Sequence, residues 1–192
     1  VTVETAAQLP VDDVPAALAG DRDAFSRLVR LHQRSVFGLA LRLHRGDEQA
    51  ARDTTQKAFL QAWAKREGFR AEASFKTWLL RITANLASNE RRRAWRRREV
   101  VPVADDGPVE LGSVPPMAFD ALDGKRARAR LRIAVDALPT RQRDVAILRL
   151  YADLSFAQIA DALGITANNA KVCFHHACRK VREHLGDAGV AS

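Results

Sequence analysis

LSFAQIADALGITANNAKVCFHHACRKVREHL, residues 154–185, carries the pattern of two helices joined at a glycine. Ser155 followed by Gln158 has the form of a capping box, in which the two residues satisfy free N–H groups at a helix start. Ile159, Ala160 and Leu163 then share a buried face, and Gly164 supplies a tight turn. Thr166 is placed to cap a longer helix. Short helix, glycine turn and longer helix form the helix-turn-helix pattern, whose second helix enters the DNA major groove.

A helix advances roughly 100° per residue. On that wheel Ala170, Phe174, Ala177, Val181 and Leu185 form a core face, with Asn168, Val172, His175, His176 and Arg179 opposite. Asn pairs with adenine and Arg with guanine, whereas Val touches only a thymine methyl or a sugar. Lys171, at the margin, is placed for phosphate. Cys173, His175, His176 and Cys178 offer two metal ligands per helical pair, short of the four a structural zinc needs, so no metal is expected. Cys178 reads as a small buried hydrophobe.

Outward from this stretch the helical period continues toward the N-terminus. Leu131, Ile133, Val135 and Leu138 predict a helix stopped by Pro139, and Thr140 is placed to cap another that carries Val145, Leu148 and Tyr151. Residues 99–124 break the pattern with Pro102, Pro108, Pro115, Pro116 and three glycines, which predicts an extended, mildly acidic linker.

Before the linker, Phe25, Leu28, Val29, Val36, Leu39, Ala40 and Leu43 fall at helical spacing from Asp21 to Gly46. A second helix runs from about Asp47 to Trp63, burying Ala51, Phe59 and Trp63. After a break at Gly68 to Ala73, Ser74 caps a third helix with the stripe Phe75, Trp78, Leu79, Ile82 and Leu86. The expected fold is all-α: two small helical domains, 21–98 and 125–186, joined by a flexible linker over 99–124. Residues 1–20 read as a loose arm without helical period, and 187–192 as a tail.

Charge is concentrated rather than spread. Residues 65–98 hold eleven Lys or Arg against three Glu, a surplus equal to the whole net charge of +8. With Trp78 and Trp95 nearby, this is the footprint of a surface for a polyanion whose bases can stack. The sequence pI is near 10.3. No apolar run approaches the ~20 residues of a spanning helix. The first residues lack the basic-then-apolar order of a signal peptide, and two late cysteines fit a reducing cytoplasm.

Four segments together give the chain a family resemblance: GDRDAFSRLVRLH (20–32), ARDTTQKAFLQAW (51–63), FRAEASFKTWLLRITANLASNERRR (69–93) and LPTRQRDVAILRLYADLSFAQIADALGITANNAKV (138–172). In that order, with a Pro-rich linker between the last two, they resemble bacterial RNA polymerase sigma factors of the extracytoplasmic-function (ECF) group of the sigma-70 family. The resemblance implies a region 2-like bundle and a region 4-like helix-turn-helix that bind core polymerase, recognise −10 and −35 promoter elements and promote DNA melting.

The resemblance also assigns residues. Asp53, Gln56, Lys57, Phe59 and Leu60 match the surface that docks on the clamp helices of the largest polymerase subunit. Phe69, Arg70, Glu72, Ser74, Thr77 and Asn85 match the −10 base pocket. Arg81, Arg91, Arg92, Arg93 and Lys171 match positions along the DNA backbone. Asn168, Asn169, Val172, Cys173, His175, His176 and Arg179 match the −35 reader.

The linker is similar to one that threads toward the RNA exit channel, and the flap region and an anti-sigma factor are further implied partners. Thr54, Thr55 and Lys57 depart from the family pattern, with Lys57 reversing a charge on the polymerase-facing side. Asn169, Ala170, Lys171, Val172, Cys173 and His176 depart from it in the last helix, which implies an unusual promoter.

A stand-alone helix-turn-helix regulator is the competing reading, and it has no use for the loop and Asn85. An enzyme is not expected, since the chain has no Gly-rich phosphate loop, no H-E-x-x-H and no paired nucleophile and base. No cofactor, no catalytic residue and no membrane insertion are expected.

Overall fold

The computed structural model describes residues 13–97 and 125–187, with side chains from 13–93 and 129–185. The expected linker, most of the N-terminal arm and the last residues lie outside the described residues, as does the side chain of Trp95. Helices α1 (Asp13–Leu18), α2 (Arg22–Leu43), α3 (Glu48–Ala64) and α4 (Phe75–Arg97) precede the linker, with a 3-10 turn at Arg66–Gly68. Helices α5 (Lys125–Asp136), α6 (Thr140–Tyr151), α7 (Phe156–Leu163) and α8 (Ala167–Asp187) follow it.

Helix starts follow their local chemistry. Asp21 Oδ1 accepts from the amides of Asp23 and Ala24 at 2.8 and 3.1 Å, which holds its carboxyl below the usual range. Asp47 caps α3 through the Ala50 amide, and Ser74 caps α4 through the Thr77 amide. Ser155 and Gln158 form the complete capping box of α7, and Gly164 ends it at φ +66°. The Thr166 hydroxyl accepts from the Asn169 amide at 3.1 Å. At α6, however, Pro139 occupies the cap position without a side-chain bond. The Thr140 hydroxyl instead accepts from Arg45 at 3.0 Å.

Packing turns several helices away from the faces expected of them. The buried line of α3 is Ala51, Thr54, Ala58 and Ala62. These small residues let α3 sit close on α2 and α4, and they rotate Phe59 and Trp63 to a half-buried flank. There Phe25 meets Trp63 edge-on, with ring centroids 5.0 Å apart. In the second half Leu131, Val135 and Leu138 are buried, but Ile133 and Tyr151 are exposed. Residues 13–18, read as part of a loose arm, form α1. Ala17 is buried there, and Asp13 pairs with Arg27 of α2 at 2.6 Å. That tertiary pairing sustains a helix too short to be stable alone.

The two halves touch. Helix α7 packs on α4, and α6 on α2. Buried apolar residues from Ala17 to Val181 belong to one contiguous cluster. Helix α6 is accordingly enclosed on all sides from Gln142 to Leu148.

Candidate nucleic-acid and polymerase interface

The loop before α4 is built on an aromatic base. Phe69 lies edge-on to Trp78 and Phe75, at centroid separations of 5.3 and 5.9 Å. Phe75 and Trp78 are themselves buried. Over this base Gly68 to Ala73, Trp78 and Arg81 enclose a cavity of about 340 Å³, and Ala71 takes a left-handed turn at φ +55°. Of the residues assigned to a base pocket, Phe69, Arg70 and Glu72 line this cavity. The hydroxyls of Ser74 and Thr77 bond each other at 2.9 Å beside it.

Asn85 is not in the cavity lining. It lies one turn beyond Arg81 on α4, half-buried, with its Oδ1 enclosed and lacking a hydrogen-bond partner. A residue absent from the sequence assignment, Gln158 of α7, closes the cavity instead. Its capping-box role was legible in the sequence, but its position over the loop depends on how the two halves pack.

The basic residues of α4 diverge. Arg81 lines the loop cavity. Arg92 bonds Asn89 at 3.0 Å, and Arg93 is exposed. Arg91 reaches Asp144 of α6, with Nη2 to Oδ2 at 2.7 Å and Nη1 to Oδ1 at 3.0 Å. Asp144 is only 5% exposed, and burial pushes its carboxyl up against the opposing pull of Arg91 and Arg143.

The polymerase-facing assignments split between two places. Gln56, Phe59 and Leu60 join Phe25, Val29, Phe37 and Trp63 around an open, mainly apolar groove of about 500 Å³ between α2 and α3. Leu60 is 63% exposed. Asp53 and Lys57 lie outside the groove lining. Asp53 accepts from Gln49 at 3.1 Å, and Lys57 Nζ pairs with Glu90 Oε1 at 2.6 Å. That pairing raises the Lys57 ammonium above its ordinary value and answers its reversed charge within the chain. Glu90 also accepts from Thr54 at 3.1 Å, and Thr54 meets His44 Nε2 at 2.8 Å. Glu90 was missed in the sequence because its partners come from α3, more than thirty residues earlier.

On α8, Asn168, Lys171 and Arg179 are exposed, with Arg179 3.8 Å from Glu183. Asn169, His175 and His176 are half-buried, as is Cys173, whose thiol bonds Asn169 Oδ1 at 3.5 Å. Val172, placed by the helical wheel at the centre of the exposed face, is buried. Cys178 is buried too, which pushes its thiol up. Among the described residues no group of three or more His, Cys, Asp or Glu could hold a metal ion.

Sigma-70 region 2 matches residues 28–97 and Sigma-70, region 4 matches 126–181. The ECF RNA polymerase sigma factor SigL of Mycobacterium tuberculosis is 33% identical over 179 residues, 92% of this chain and 97% of SigL. The chain belongs to the ECF group of the sigma-70 family. The probable RNA polymerase sigma factor RfaY of Xanthomonas campestris pv. campestris is also 33% identical, over 90% of this chain, but the chain spans only 43% of its length. It spans 64% of SigE from Mycolicibacterium smegmatis, at 30% identity.

Solved structures share the fold. CnrH in complex with the cytosolic domain of CnrY gives a TM-score of 0.56 at 22% identity, covering 91% of this chain and 96% of that one. RpoE in complex with the anti-sigma factor NepR, from Bartonella quintana, gives 0.56 at 23%, covering 84% and 96%. The loop cavity and the basic helix therefore fall in sigma region 2, and the helix-turn-helix in region 4.

Proposed function

We propose that this chain is a promoter-specificity subunit: it joins core RNA polymerase, recognises −10 and −35 elements and promotes strand melting. The observation that carries the reading is the loop cavity on its aromatic base at the head of the arginine-rich α4, in the matched region 2. A base drawn out of the duplex loses a few kcal/mol of stacking and pairing, which a tight pocket returns through new contacts. Phe69, Arg70 and Glu72 line such a pocket, and Arg81, Arg92 and Arg93 supply sequence-independent attraction for the strand.

The groove of Gln56, Phe59 and Leu60 is the docking surface for the clamp helices of the largest subunit. Asn168, Lys171 and Arg179 are the exposed residues of α8 available to the −35 element. An anti-sigma factor is a partner of this chain, and its place of action is the cytoplasm. No helix among the described residues is long and apolar enough to cross a membrane. The role is not catalytic.

Run-off transcription on a promoter library, with core polymerase and with or without this protein, tests the proposal. Initiation at a defined promoter subset only when both proteins are present is expected. Tight duplex binding without polymerase, and no polymerase-dependent transcript, overturns the reading in favour of a stand-alone regulator.

A further inference from the structure

A cavity of about 480 Å³ opens between the end of α2 and helices α5 and α6. None of its lining residues belongs to the promoter or polymerase surfaces assigned above. Its charged lining is Arg42 and Arg45 from the end of α2 and the turn after it, Arg132 and Asp136 from α5, and Arg143 from α6. Four guanidinium groups thus share the cavity with a single carboxylate. Tyr151, the last residue of α6, lines it as well. The volume falls in the range of roughly 300–1,000 Å³ common to small-molecule sites.

The positive charge is only partly answered within the chain. Arg143 is 2% exposed, and its Nε and Nη2 both donate to Asp136 Oδ1, at 3.1 and 3.0 Å. Nη2 also donates to the Arg42 carbonyl at 2.6 Å. Its Nη1 has no hydrogen-bond partner and stands 3.8 Å from Asp144 Oδ1, which already accepts from Arg91. A buried cationic donor left unmet is costly to a fold. Arg42 donates to the Gly38 carbonyl at 2.8 Å and Arg45 to the Thr140 hydroxyl at 3.0 Å, both neutral acceptors. Arg132 is exposed and pairs with no carboxylate among the described residues. Mutual repulsion of these groups is a burden that stability alone does not require.

The chemistry of a ligand follows from this lining. Guanidinium groups take phosphate oxygens in paired hydrogen bonds, and a surplus of three positive charges suits several phosphates better than one. Tyr151 is 42% exposed, with Arg42 Cζ 4.2 Å from its ring centroid. An exposed aromatic ring beside arginines is a stacking surface for a nucleobase. We propose that this cavity binds a nucleoside polyphosphate, its phosphates among Arg42, Arg45 and Arg132 and its base on Tyr151. The lining comes from both halves of the chain, so the bound nucleotide joins α2 to α5 and α6 and stabilises the whole.

Isothermal titration of the full chain with ATP, GTP and inorganic pyrophosphate, at fixed salt and without divalent metal, tests the site. Saturable one-to-one binding of nucleotide is expected, about tenfold tighter than that of pyrophosphate because only the nucleotide stacks. Arg45→Ala with Arg132→Ala is expected to weaken both ligands about tenfold or more. Both side chains are exposed, so the variant is expected to fold, which its melting temperature without ligand checks. Arg22→Ala with Arg30→Ala removes the same charge from exposed positions of α2 outside the cavity, and is expected to leave binding unchanged. Tyr151→Ala is expected to weaken nucleotide about tenfold and pyrophosphate far less, with nucleotide binding restored in Tyr151→Phe.

Nucleotide affinity weaker than about 1 mM overturns the proposal. An equal loss in the Arg22 and Arg30 variant does so too, since binding would then belong to the general positive field. Equal affinity for nucleotide and pyrophosphate, in a ratio that Tyr151→Ala does not alter, rejects a nucleotide as the ligand. A matching loss of affinity for a random-sequence single strand in the Arg45 and Arg132 variant would put the cavity on the nucleic-acid path instead.

Discussion

The side-chain oxygen of Asn85 is enclosed without a hydrogen-bond partner, an arrangement that costs a fold about 1–3 kcal/mol. A residue retained purely for stability would have its oxygen satisfied. Asn85→Ala is therefore expected to leave the melting temperature unchanged or slightly raised, while promoter opening falls and polymerase binding persists. Thermal denaturation beside permanganate footprinting of the melted strand reads both effects, and a large loss of stability would make Asn85 structural.

His44 carries a second residue-scale prediction. Burial first, then Arg91 and Lys57, hold its imidazole below its ordinary value of 6.5, against the opposing pull of Glu90 and Asp47. The folded chain thus binds fewer protons here than the unfolded chain once pH drops below that value. Stability contributed by neutral His44 is present at pH 7.5 and is lost as pH falls from about 6.5 toward the depressed folded value. Urea midpoints at pH 7.5 and 5.5 are expected to differ less in His44→Gln than in the wild type. His32, lowered by burial and Lys76, contributes with the same sign and remains in the variant.

At the scale of the element, what the sequence made legible was whatever a helix settles with its own neighbours. The caps at Ser74, Ser155 and Thr166, the Gly164 turn and the stripe from Phe75 to Ile82 are all local, and all form. Which flank of a helix is buried depends on its neighbours, and there periodicity misled. Phe59 and Trp63 are the large aromatic residues of α3, but the line of Ala51, Thr54, Ala58 and Ala62 closes it onto its partners. Val172 stood out on the wheel as an exposed apolar residue and is buried, while Ile133 faces outward. The loop lining of the candidate site was legible in the sequence; Gln158, Glu90 and Asp144 were not, because each acts on residues remote in the chain.

Two elements carry predictions of their own. Leu60 projects from the apolar groove of α3 at 63% exposure, so Leu60→Asp removes no core packing. Affinity for core polymerase is expected to fall at least tenfold, measured by competition with a labelled sigma factor, with the melting temperature unchanged. On α4, Arg92→Ala with Arg93→Ala is expected to weaken promoter binding equally across sequences. It should lower the slope of log affinity against log salt by about two, one for each phosphate that no longer meets a guanidinium. An altered base preference would show that these side chains read bases.

Across the whole molecule, the continuous apolar cluster from α1 to α8 makes the two modules one folding unit despite the long segment between them. The link between halves is polar at its centre: the buried Asp144 lies between the part-exposed Arg91 and the buried Arg143, and removing it leaves Arg143 to its exposed partner Asp136. Breaking such a pair costs about 3–5 kcal/mol, a large part of the stability of a small domain. Calorimetry of the wild type is accordingly expected to give one cooperative transition, with equal calorimetric and van't Hoff enthalpies. Asp144→Asn is expected to give two, because each module retains its own core while the ion pair joining them is broken. The destabilisation should fall on the helix-turn-helix half, since α6 is enclosed by both modules and α4 keeps its packing on α2 and α3. Two transitions already in the wild type would mean that the halves melt independently and that the shared cluster does not couple them.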